Sequence, residues 1–182
     1  MIKNVVAYIA LSLAPLLLCA PLPSQAEVGQ LSENQVKAAY LFNFAKFVEW
    51  PASAFSGAGA PLVIGFIGKG PYLEAHDALA GRMAKGRKVQ VRQFTRPEEV
   101  GGCHILFIAA SERRRLKEIL RALPATSVLT VSDIGHFCNL GGMIALVSQG
   151  ERIQFEVHLG NAERAGLQLS SQMLKLALAV LD

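Results

Sequence analysis

The sequence predicts an α/β fold: a single domain on a mixed, mostly parallel sheet with flanking helices, ending in a C-terminal β-hairpin plus helix. Three observations predict it. Short apolar runs of strand type alternate with helical patterns through the middle of the chain. Two alternating segments in the last third bracket a Gln149-Gly150-Glu151 turn. A strongly apolar helix opens the domain and another closes it.

The opening helix is read over Gln35 to Trp50, in the stretch QVKAAYLFNFAKFVEWP. Ser32 suits the N-cap, with Gln35 as its capping-box partner three residues on. Val36, Tyr40, Phe44, Phe47 and Val48 recur at helical spacing and give one apolar face. Leu41, Phe42 and Ala45 add apolar surface elsewhere, leaving Lys37, Asn43, Lys46 and Glu49 as a polar strip. Such a helix is covered on more than one side. Packing against the final helix explains the surplus, in preference to burial in a homodimer. Trp50-Pro51 ends the helix, because the residue before a proline is driven out of the α region. Ala52 to Ala60, rich in small residues, reads as a loop.

Leu62 to Gly68 and Ile105 to Ala110 are continuous apolar runs of strand type, while Val89 to Phe94 and Ser127 to Val131 read as less buried or edge strands. Helical patterns lie between them at Pro71 to Leu79 and at Glu112 to Leu123, the latter with Ser111 as its cap. This order of strands and crossovers implies a largely parallel sheet covered by helices. Gly142 to Ser148 and Arg152 to His158 form the hairpin. In its second strand Ile153, Phe155 and Val157 point one way, and Arg152, Gln154, Glu156 and His158 the other. A short helical turn from Asn161 is closed by Gly166. Ser170 or Ser171 then caps the final helix, Gln172 to Leu181.

Residues 1–26 read as a cleavable signal peptide: Lys3, an apolar run from Val5 to Leu18, and small residues at Ser24 and Ala26. The run is 14 residues, shorter than the roughly 20 that span a bilayer. The domain then covers 27–182, exported to the periplasm and not inserted in the membrane. The leader carries one lysine and no acid, so the formal charge of +4 becomes +3. Arg113-Arg114-Arg115 with Lys117 is the nearest basic cluster. It lacks interleaved aromatics, which argues against nucleic acid.

Export makes Cys103 and Cys138 a possible disulfide. Cys103 begins one strand and Cys138 follows the end of the next, opposite poles in a parallel pair, although the loop after Asp133 allows a return. The sequence leaves the bridge open.

The catalytic inventory is poor. Gly65, Gly68 and Gly70 sit in a strand-to-helix turn but lack the spacing of a phosphate loop. Ser171 and Lys175 are one residue too far apart for a Ser-x-x-Lys pair, and no Gly-x-Ser-x-Gly elbow is present. Cys103-His104 and His136-x-Cys138 suggest zinc, but neighbouring strand residues point to opposite faces. Glu156 with Arg152 reads as a surface ion pair. No catalytic residue, cofactor site or metal site is assigned, and a binding role is favoured over an enzyme.

QVKAAYLFNFAKFVEWP and GGMIALVSQGERIQFEVHLGNAERAGLQLSSQMLKLA, with CHILFIAASE and SVLTVSDIGHFCNLGGMI between them, resemble the YfiR-like family (DUF4154) from Ser32 to about Val180. The resemblance implies a small periplasmic α/β protein without known catalysis. It also implies a homodimer, and a partner: an inner-membrane diguanylate cyclase of the YfiN type. Members repress such a cyclase by binding its periplasmic region, which lowers cyclic-di-GMP signalling and biofilm formation. By the resemblance, Ile144, Glu156 and Ala162 are candidate partner contacts. The residues themselves add Arg152 and Gln154, on the strand face that carries Glu156. The chain departs from the family in having only two cysteines beyond the leader, which puts redox sensing in doubt. The alternative reading is a periplasmic small-ligand-binding or transport-associated module.

Overall fold

The computed structural model describes residues 31–123, 127–150 and 152–182. The signal-peptide reading over 1–26 lies outside them, as does Glu151 of the hairpin turn. Helix α1 (Glu33–Phe47) starts as the sequence predicts: Ser32 Oγ accepts from the Gln35 amide, and the Gln35 side chain accepts from the Ser32 amide. It ends earlier than read. Val48–Glu49 is a short strand, β1, pairing antiparallel with β9 (Gln168–Leu169). The β-branched Val48 is fully buried there, and the Ser170 amide bonds the Phe47 carbonyl. This tertiary pairing takes the last turn that helical spacing alone would continue.

The remaining elements follow the predicted alternation through Arg164, with a short strand added at Met83–Ala84, and depart from it at the end of the chain. They are β2 (Leu62–Ile67), α2 (Tyr72–Leu79), β3 (Met83–Ala84), β4 (Arg87–Phe94), β5 (Ile105–Ile108), α3 (Leu116–Ala122) and β6 (Leu129–Ser132). The hairpin strands β7 (Ile144–Gln149) and β8 (Arg152–His158) come next, then α4 (Leu159–Arg164), α5 (Ser171–Leu174) and β10 (Ala179–Leu181). Among the described residues, the main sheet has the order β10-β8-β7-β6-β5-β2-β4-β3. Its strands are parallel from β4 through β7, while β8 and β3 run antiparallel to their hairpin neighbours. The class and the mostly parallel sheet are those expected.

Helices cover both faces. Ile64, Phe66, Ile105, Phe107 and Val131 pack towards α1, α2 and Met173 of α5; Val63, Ile67, Leu106 and Ile108 pack towards Leu116 and Ile119 of α3. Strand β6, read as marginal, is buried along its length because it lies mid-sheet. Ser111 does not cap α3. A 3₁₀ turn over Ala110–Arg115 precedes that helix, and Ser111 Oγ accepts from the Lys69 amide.

The end of the chain corrects the sequence most. The helix expected over Gln172 to Leu181 is one turn, capped by Ser170, followed by an edge strand. Parallel pairing of Ala179, Val180 and Leu181 with Glu156, Val157 and His158 supplies backbone partners there. The surplus apolar surface of α1 is therefore not covered by a long C-terminal helix. Phe44 lies on Phe155 of β8 (centroids 5.3 Å), Arg82 stacks on Phe42 at 3.9 Å, and Asn34 reaches Glu74 of α2.

Gly142 follows a left-handed Gly141 (φ 102°), and a Cβ built on Gly142 would overlap the buried Phe137 ring. That close approach explains the Phe137-to-Gly142 spacing. Gly142→Ala is expected to lose about 1–3 kcal/mol through overpacking, read as a lowered urea midpoint with an unchanged m-value.

Candidate functional site

The β7–β8 hairpin carries the residues that the sequence nominates for partner contact. The structure divides them. Ile144 pairs with Val157 and is fully buried; Ala162, on α4, is fully buried too. Neither side chain can touch a partner, and both shape the hairpin from behind. Arg152 is exposed and Glu156 half-buried, on the strand face opposite the buried Phe155 and Val157. They form no ion pair with each other among the described residues, because four strand residues span ~13 Å.

Glu156 instead lines a cavity of about 540 Å³ at the carboxyl ends of β5 and β6, where β7 runs on past the end of β6. Lys37, Asp133, His136 and Ser148 line it as well. Crevices at strand carboxyl ends are the usual binding position in open α/β sheets. Lys37, assigned by spacing to a polar strip, is buried, with Nζ 2.7 Å from both Glu33 Oε1 and Asp133 Oδ2. Burial works to lower its pKa, yet the hydrogen bonds to Asp133 and Glu33 prevail, and the pKa stands above its ordinary value. Glu33, in turn, is held below the usual carboxylate range, chiefly by the Lys37 hydrogen bond. Sequence reasoning missed this group because Asp133 lies 96 residues from Lys37. The only local signal was a Glu33–Lys37 pair four residues apart at the start of the helix.

The opposite pole holds a second group. His104 is 3% exposed; its Nδ1 accepts from the Val63 amide at 3.1 Å, and its Nε2 has no hydrogen-bond partner. Phe55 stacks on the ring (4.3 Å between centroids, 23° between planes), Trp50 meets it edge-on, and Arg87 covers the far face of Phe55 at 3.7 Å. Burial pushes the imidazole pKa down to about 4.

Cys103 and Cys138 are buried free thiols in this structure. Cys103 Sγ lies by the carbonyls of Val63 and Ile105, while Cys138 Sγ lies by those of Met143 and Glu156. The sequence placed them at opposite poles, and the register agrees: Cys103 precedes the amino end of β5, whereas Cys138 lies by Glu156, level with Ser132 and Ile108 at the carboxyl ends of β6 and β5. The two strand steps from β5 to β7 add ~10 Å of width, against the ~7 Å between Cα atoms that a disulfide tolerates. Burial pushes the thiols up to about 12 and about 11, which suppresses the reactive thiolate. Cys103 and His104 also point to opposite sides of the sheet, so the zinc grouping does not assemble.

Two outcomes follow from this geometry. Lys37→Met should destabilise the fold by on the order of 2 kcal/mol, less than for a fully enclosed pair because Asp133 keeps some solvent contact. Adding Asp133→Asn should restore about half of that loss in a double-mutant cycle read by urea unfolding. Denatured protein covering 27–182 should label at two thiols equally with and without reductant, and the native protein slowly at both. A labelling yield that needs reductant would establish a bridge.

The family model described as YfiR/HmsC-like, DUF4154, matches residues 34–178. That span includes α1, the sheet from β2 to β8, the Lys37–Asp133 group and the hairpin face. The chain belongs to the YfiR/HmsC-like family.

Proposed function

We propose that this protein is a periplasmic regulator that binds the periplasmic region of an inner-membrane diguanylate cyclase of the YfiN type. By holding that enzyme down it lowers cyclic-di-GMP signalling and biofilm formation. Family membership across residues 34–178 is the observation that carries this reading. The chemistry of the chain agrees with a binding role. Ser132, the fully buried serine at the end of β6, spends its hydroxyl on the Ile108 carbonyl and the Ile134 amide. The two thiols are free and buried, and the buried lysine is committed to two carboxylates.

The contact surface is the outward face of β8, with Arg152, Gln154 and Glu156, beside the edge strand β10. Opposite charges four residues apart on one strand impose a register on an incoming partner, since like-charge juxtaposition is costly. Ile144 and Ala162 act from behind this face by fixing the strand and α4. The protein works as a homodimer in this proposal. A small-ligand-binding role has its own support in the cavity beside Glu156.

Glu156→Lys reverses a half-buried charge at the edge of a cavity, so its melting temperature should fall by no more than several degrees and the protein should stay folded at the assay temperature. Recovery of the cyclase on tagged protein from envelope extracts should fall at least about tenfold, a loss of ~1.4 kcal/mol. Undiminished co-purification would remove the β8 face from the interaction. Absence of any cyclase from the wild-type pull-down would count against the regulatory role itself.

A further inference from the structure

The segment from Ala52 to Ala60 crosses the amino ends of β2 and β5, and few groups hold it down. Arg87 Nη1 donates to the carbonyls of Gly57, Ala58 and Ala60 at 3.0, 3.0 and 2.7 Å, and its guanidinium lies on Phe55. Phe55 in turn lies flat on His104. Most of the segment is exposed, and Phe55 is its half-buried anchor. With Ser53, Ala54 and Ser56 it walls a cavity of about 520 Å³ that reaches Gly102, Cys103 and Ser127.

We propose that Ala52 to Ala60 is an acid-released strap, latched by the neutral His104 ring beneath Phe55. The latch depends on one tautomer. Nδ1 accepts the Val63 amide hydrogen, so it must carry a lone pair, and the single ring hydrogen sits on Nε2. A proton arriving from solvent has only Nδ1 to occupy, where it would face the Val63 N–H donor to donor. The imidazolium therefore loses its one hydrogen bond in the slot, and the Ala54 carbonyl of the strap, which favours the charged ring, does not offset the burial that disfavours it. Arg87 is the charged group facing the ring from β4, behind Phe55, and its like charge opposes protonation further. No carboxylate bonds the ring among the described residues, and the neighbouring Cys103 points to the other side of the sheet. The charged ring leaves the slot for water, and Phe55 has to lift to let it out.

The size of the effect follows by linkage. A ring that titrates at about 4 in the slot and near 6.5 when released raises the opening constant about 25-fold between pH 7 and pH 5. The sign is that of a depressed group: the latch is whole above pH 6.5 and is lost as the pH falls through 4.

Amide hydrogen exchange on the intact protein tests this, with rates corrected for their intrinsic pH dependence. The protection factor of the Val63 amide should fall about 25-fold from pH 7 to pH 5, and those of residues 54–56 should fall with it. The Leu106 and Phe107 amides of central β5 should hold their protection. Phe55→Ala removes the stack and should leave Val63 weakly protected already at pH 7. In His104→Asn, whose side-chain oxygen still accepts from Val63, protection should not vary with pH. Three results would overturn the strap: constant Val63 protection, an equal fall in β5, or an equal fall in His104→Asn. Should His104→Asn not fold, Phe55→Ala with wild-type pH dependence would overturn it as well.

Discussion

Phe44 meets Phe155 edge-on, and that contact fixes where α1 lies on the sheet. Tyr40 joins the pair through its own ring contacts and through its hydroxyl, which donates to the Ile153 carbonyl at 2.6 Å. Three side chains thus tie the first helix to β8, more than a hundred residues away in the chain. Burying aromatic surface of this kind is worth several kcal/mol, far more than any exposed ion pair in the molecule. Once α1 is placed, its other apolar residues need cover of their own. Arg82 and α2 supply it on the β3 side, and the turn carrying Met173 supplies it on the other.

The same placement makes a buried lysine workable. Lys37 reaches over the end of β6, where Asp133 is the first residue beyond the strand, while Glu33 bonds it one turn earlier on the helix. An isolated ammonium there would pay a large desolvation penalty; two carboxylates at 2.7 Å offset it. Because the geometry requires both α1 and the β6–β7 loop in position, the pair also specifies register. A helix rotated by one residue would turn Lys37 away and bring Val36 or Ala38 to Asp133.

Much of this architecture was legible in the sequence. Continuous apolar runs gave the central strands, alternation gave β8 with its two faces, and the Ser32–Gln35 box gave the first turn of α1 to the residue. What stayed hidden depends on partners far along the chain. Gln172 to Leu181 has the composition of a helix, yet Leu178 donates its amide to the Phe155 carbonyl and the chain extends into β10. Apolar residues that the turn after α5 and the edge strand leave exposed, Leu176 and Val180, look like core residues when only spacing is considered. Ile144 and Ala162 show the converse: a resemblance nominates them as contacts, and only the fold reveals that they lie inside. Lys37, Asp133 and the His104 stack were beyond reach for the same reason, since periodicity does not pair residues across the sheet.

A parallel sheet collects every strand start at one pole and every strand end at the other, and the two poles solve different problems. At the ends, helix and loop bring opposite charges together around a polar cavity. At the starts, the backbone itself is short of a partner. The Val63 carbonyl takes the His104 amide, but the Val63 N–H on the same side finds no carbonyl and turns to the imidazole. His104 closes that gap with its side chain while its carbonyl receives Leu129 and the Trp50 indole. One residue therefore joins β2, β5, β6 and the exit from α1. An aliphatic side chain would strand the Val63 donor at the cost of an unsatisfied buried group, ~1–3 kcal/mol. A hydroxyl would fall short of it. Only an acceptor held at the reach of an imidazole or an amide completes the strand, and of those the imidazole alone makes completion conditional on protons.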